Sequence, residues 1–177
     1  MRRLVATLAA VAILGAAWVH ADEPMPKPAK VTVHSPNNKS YAFSEPDPTV
    51  PTTTVFEDAS KAKLWSMKGW YRSFWLADDG EHLVVGYPGL NLLSQKHAKD
   101  EALVWFYEKG ELVAKGTLDQ IVADEAHLEK TVSHYHWGMG KGFDEKGRFV
   151  IETVERKEVV FDVTTGKIVE TRDVKKK

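Results

Sequence analysis

Cysteine is missing from all 177 residues. Without a thiol there is no disulfide, no thiolate nucleophile and no cysteine to carry a bacterial lipid anchor. An excess of one charge is missing too: 24 Lys and Arg stand against 25 Asp and Glu, a formal net charge of −1. A nucleic acid or an anionic membrane calls for a basic surface, so this balance argues against both as partners. No run is apolar for long enough to span a bilayer. The stretch from Leu4 to Val19 has sixteen residues, short of the roughly 20 that a spanning helix needs. Two catalytic signatures are also absent, the serine of a nucleophile elbow and the spacing of a P-loop. Gly138-Met139-Gly140-Lys141-Gly142 comes nearest to the latter, but it has no following Ser or Thr and leads toward a strand, so it reads as a flexible hairpin connection.

The N-terminus has the form of an export signal. Arg2 and Arg3 are the positive region, Leu4 to Val19 the apolar region, and Val19-His20-Ala21 sets small residues at the −3 and −1 positions of a cleavage site. The expectation is a signal peptide over 1–21, a chain beginning at Asp22, delivery to a periplasm or to the outside, and no stable membrane anchor after cleavage. Losing two arginines and no acid would take the net charge from −1 to −3. Residues 22–30 follow as a leader containing Pro24, Pro26 and Pro28, each lacking an N–H and biasing its neighbour toward extended geometry. Residues 31–174 read as a single β-rich domain, and Lys175-Lys176-Lys177 as a solvated tail.

What the chain does have is a repeated pattern of β-prone runs and polar turn clusters. Turns fall at 35–39, 57–61, 77–81, 107–111, 144–148 and 163–167, each rich in the Asp, Asn, Ser or Gly that tight reversals need. They group in pairs. The implied fold is mainly β: three antiparallel hairpin or blade-like repeats in one compact domain, with one inserted amphipathic helix at about 117–130. That helix is suggested by the capping-box spacing of Thr117 and Gln120 and an apolar stripe of Leu118, Ile121, Val122 and Leu128. Glu45 to Pro51 holds three prolines and must be a loop.

The last unit carries a more particular motif. Gly147 leads into a strand, and Phe161-Asp162-Val163-Thr164-Thr165-Gly166-Lys167 has the form Phe-Asp-x-x-Thr-Gly-Lys. This resembles the strand-turn-strand of a β-propeller blade, as in WD40-like and quinoprotein-like repeats. The middle unit, from Asp78-Asp79-Gly80 to Lys109-Gly110-Glu111, is similar with an insertion; no Trp-Asp dipeptide occurs, and no narrower family is indicated. A closed propeller takes 4–8 blades. Three units imply either two chains assembled as a homo-oligomer or one domain whose rims are covered by the helix and the proline-rich stretches.

Three places could carry function. The aromatic run Trp65 to Trp75, read as a strand from Trp70, puts Trp70, Phe74 and Leu76 on one face and Tyr71 and Trp75 on the other. That suits a central strand buried on both sides, with Trp70 and Trp75 as an alternative sugar-stacking platform. The excursion from Gly86 to Glu101, opened by Tyr87-Pro88-Gly89-Leu90-Asn91, is too long for a plain connection and makes Tyr87 and Asn91 ligand-binding candidates. On a strand, His134 and His136 would share a face, a spacing able to hold a divalent metal if His82, His97, His127 or Asp144 supplied a third ligand. The function that follows is a non-catalytic binding or assembly module for a protein or carbohydrate partner. The alternative is a metal-dependent hydrolase built on His134 and His136.

Overall fold

The computed structural model describes residues 25–174. The signal peptide expected over residues 1–21, residues 22–24 of the leader and the Lys175–Lys177 tail lie outside the described residues. Val31–His34 (β1), Ser40–Glu45 (β2), Thr52–Glu57 (β3) and Lys63–Lys68 (β4) form a four-stranded meander in sequence order. Phe74–Leu76 (β5), His82–Gly86 (β6), Ala102–Glu108 (β8) and Glu111–Thr117 (β9) form a second, interrupted by Leu92–Ser94 (β7). Gly138–Phe143 (β12), Phe149–Thr153 (β13), Lys157–Phe161 (β14) and Ile168–Asp173 (β15) form a third. All pairings are antiparallel.

A fourth sheet corrects the count of three units. The 86–101 excursion is not a bare loop: β7 pairs with His134–His136 (β11), which pairs with Glu129–Lys130 (β10). Two segments that lack a complete repeat of their own satisfy their backbone groups by pairing with each other. The helix is a second correction. Only Leu118–Ile121 (α1) is α-helical, followed by one turn of 3-10 helix at Glu125–His127. The four apolar stripe residues are all buried, so the hydrophobic reading holds while the helical period does not. Glu155 explains the break: its carboxylate accepts from the Ala123 and Asp124 N–H groups at 2.9 and 3.1 Å, drawing the chain out of the helix after one turn. The segment fills the interior rather than covering a rim.

The six turns lie where the polar clusters place them, and each contains a residue of positive φ: Asn38, Lys61, Gly80, Gly110, Gly147 and Gly166 among them. Aspartate closes three of these turns the same way. Asp79, Asp144 and Asp162 each accept two backbone N–H bonds from residues two to four positions ahead. Burial pushes the Asp144 carboxyl up, but its bond to the Arg148 guanidinium and the two backbone bonds outweigh that and hold it below the usual 3.8. A carboxyl depressed on folding stabilises the fold above its unfolded pKa and ceases to do so as pH falls through its folded pKa. The urea midpoint should therefore be flat above about pH 5 and fall below pH 4, and Asp144→Asn should flatten that acid limb.

The second meander is the middle layer. One of its faces, with Phe74, Leu76, Leu83 and Val85, packs on Ala42, Val55 and Met67 of the first sheet. The other, with Trp75, Val84, Val104 and Phe106, packs on Phe149, Ile151, Val159 and Phe161 of the third. The expectation that the aromatic run is covered on both sides therefore holds for Phe74, Trp75 and Leu76. It fails for Trp70 and Tyr71, because the strand starts at Phe74 and Tyr71 joins the Phe74 side instead of the Trp75 side.

The outward face of the third sheet is ionic. Val150 and Val160 lie buried beneath a chain of pairs in which Arg148 holds Asp144 and Glu170, and Arg172 holds Glu158 and Glu170. Arginine side chains suit such a face, because their aliphatic stems can cover apolar surface while the charged heads stay in water.

Candidate functional site

The glycine-rich segment is a strand rather than a hairpin connection. Glycines at 138, 140 and 142 recur at the period of two that defines one strand face, with a bulge between Gly140 and Gly142. This makes a bare stripe, and the Trp75 indole lies on it. A Cβ on Gly140 would stand 2.5 Å from Trp75 Cη2 and 3.1 Å from Phe149, whereas one on Gly142 would meet the indole at 3.5 Å. Trp75 in turn leans on Phe149, ring centres 4.9 Å apart.

Between the second and third sheets, beside this stripe, is a cavity of about 290 Å³. Its walls are Trp75, Leu103, Trp137 and Phe149, with Tyr87 and Asn91 brought in by the start of the excursion. Trp137 fixes that loop: its indole N–H donates to the Leu90 carbonyl at 3.1 Å, and its backbone N–H points to the Asn91 carbonyl at 3.4 Å. Leu90 and Met139, both well exposed, also line the cavity. Burial pushes the Tyr87 phenol up, and the Glu101 carboxylate adds to the shift. The chemistry on offer is apolar and aromatic, with Ser73 and Asn91 as polar groups among the lining residues.

The residues singled out in sequence thus divide. Trp75, Tyr87 and Asn91 share the cavity, while Trp70 lines a neighbouring depression that shares Ser73, Gly86 and Tyr87 with it. Trp70 offers no bare ring for sugar stacking on the side where Arg72 lies over it, at 5.1 Å. Sequence reading missed Trp137, Met139 and Gly140, although the period-two glycines were a legible sign that a large ring approaches.

His134 and His136 do lie on one strand, with Tyr135 turned to the core between them. Ser133 Oγ is 2.9 Å from His134 Nδ1, and Glu129 is 4.0 Å from His136 Nδ1. The anticipated third ligands are engaged elsewhere. His82 sits 2.6 Å from Asp79, His97 bridges the Ser94 carbonyl and Glu125, His127 lies 3.5 Å from Glu155, and Asp144 holds Arg148. Among the described residues no group of three or more His, Cys, Asp or Glu could hold a metal ion.

No family model matches the chain, and no curated protein matches it. Among solved structures it is similar to the Dos1 propeller, with 6% identity and a TM-score of 0.47 over 79% of this chain and 32% of that one. It is also similar to the hydrazine synthase of Kuenenia stuttgartiensis, with 14% identity and a TM-score of 0.39 over 75% of this chain and 39% of the other. The chain therefore spans about a third of the length of the first of these structures and about two fifths of the second.

Proposed function

We propose that this protein is an exported, non-catalytic binding module that seats an apolar or aromatic side chain of a protein partner in the cavity between its second and third sheets. The observation that carries this reading is the cavity itself: about 290 Å³, walled by aromatic rings, with exposed Leu90 and Met139 among its lining residues. Such concave apolar sites with a few placed polar groups are where small ligands and anchor side chains bind. Methionine at such a surface adapts its shape to different guests. Export rests on the composition of residues 1–21. A sugar would ask for a denser set of hydrogen-bonding groups than Ser73 and Asn91 supply, so a protein partner is favoured over a carbohydrate.

Selection from a displayed random peptide library tests the reading. Enriched peptides should carry a Trp, Phe or Leu anchor, and their binding should weaken at least tenfold when Met139→Glu places a charge at the cavity. A glycan panel run beside it should remain blank. Peptides indifferent to Met139→Glu, or glycan binding in their place, would overturn the proposal.

A further inference from the structure

The leader crosses the loop at 69–73 and is bonded to it. Arg72 Nη2 donates to the Pro26 carbonyl at 2.6 Å, and Trp70 Nε1 donates to the Ala29 carbonyl at 2.8 Å. Met25, Trp70, Tyr71, Arg72, Tyr87 and Pro88 line a depression of about 250 Å³ at this crossing. The two anchored carbonyls are three residues apart. A polyproline II helix repeats every three residues with a rise of 3.1 Å each, so carbonyls i and i+3 project from one side, about 9 Å apart. Pro26 and Pro28 have no N–H and restrict the residues before them to extended geometry. Outward-facing carbonyls are thus the natural handles on such a segment.

The donors sit on a prepared platform. The Ser44 hydroxyl, fully buried, accepts the Tyr71 N–H at 2.9 Å, and the buried Thr53 hydroxyl lies 2.9 Å from both Ser44 Oγ and the Gly69 carbonyl. The Gly69 N–H donates to the Pro51 carbonyl at 2.8 Å. Residues either side of Trp70 are therefore held by the first sheet, independently of the leader. An indole N–H and a second donor set among aromatic rings, each aimed at a carbonyl of a proline-rich strand, is the arrangement by which polyproline segments are recognised.

We infer that the Trp70–Arg72 groove is a receptor for proline-rich segments in polyproline II geometry, held closed by the chain's own residues 25–29. The partner is an extended Pro-x-Pro segment of another protein, which binds once the leader is displaced. A tethered leader competes at an effective concentration in the millimolar range, so a micromolar peptide is excluded while the leader keeps its shape.

The test uses the full chain and a labelled peptide with the sequence of residues 22–30, read by fluorescence anisotropy. Pro26→Gly with Pro28→Gly loosens the leader without deleting it. The peptide should bind this variant about tenfold more tightly than the unaltered chain, and either Trp70→Ala or Arg72→Met in the loosened background should remove the gain. Urea midpoints identify any variant that fails to fold, and the two groove variants serve as substitutes for each other. A peptide that binds neither chain, binds both equally, or binds the loosened chain regardless of Trp70 and Arg72 overturns the inference. Trp70 and Arg72 do not line the cavity beside Trp137, and Met139 does not line the groove, so the variants test the two sites separately.

Discussion

Phe149→Ala is expected to lower the unfolding free energy by about 3–5 kcal/mol, the range for removing a fully buried aromatic ring. Phe149 is the meeting point of the second and third sheets. Its ring contacts Trp75 at 4.9 Å, Phe143 at 5.8 Å and Phe106 at 6.3 Å, the last two edge-on, and the residue has no exposed surface. Truncation leaves three aromatic rings facing an empty volume that also opens into the existing cavity. Domains of this size hold roughly 5–15 kcal/mol in total, so the variant should unfold at a much lower urea concentration or fail to accumulate. Leu112→Ala provides the comparison: Leu112 is about half exposed, and its loss should stay within about 0.5 kcal/mol. A Phe149→Ala midpoint close to that of Leu112→Ala would mean that the interior between the two sheets is not as described.

Gly140→Val is expected to destabilise by about 1–3 kcal/mol through overpacking and to occlude the cavity. Even the first added carbon would overlap the Trp75 ring and stand 3.1 Å from Phe149, and the two rings are packed against each other with centres 4.9 Å apart. The informative contrast is Gly147→Ala. Gly147 has a φ of +72° with nothing within 4 Å of the added carbon, so its substitution strains the backbone alone, at roughly 1–2 kcal/mol. Both variants lose stability, but only Gly140→Val should also abolish binding of cavity-directed peptides. Urea unfolding and peptide titration on the same samples separate the two effects.

These two glycines also show where sequence was legible and where it was not. Gly147 lies in a cluster with Asp144 and Lys146 between two β-prone runs, and local chemistry settles it as a turn; the same holds for all six reversals. Gly140 has its reason across the interface, in a tryptophan 65 positions earlier, and no local rule reveals that partner. The pairing of β7 with β11 is hidden for the same cause, since it joins segments some forty residues apart. The helix stopped after one turn because the competing acceptor, Glu155, comes from beyond β13, 32 residues after Ala123. The buried set Leu118, Ile121, Val122 and Leu128 was readable because a cluster of large aliphatic side chains within one short segment favours burial in either backbone form.

The arginine–carboxylate lattice over Val150 and Val160 has a consequence for how far such a stack can extend. Another apolar layer laid against that side would have to strip hydration from Asp144, Arg148, Glu158, Glu170 and Arg172 together, and desolvating charges that are already paired costs more than the burial returns. This side of the third sheet is therefore a surface that favours water over an apolar neighbour, a property set by the side chains of its last two hairpins.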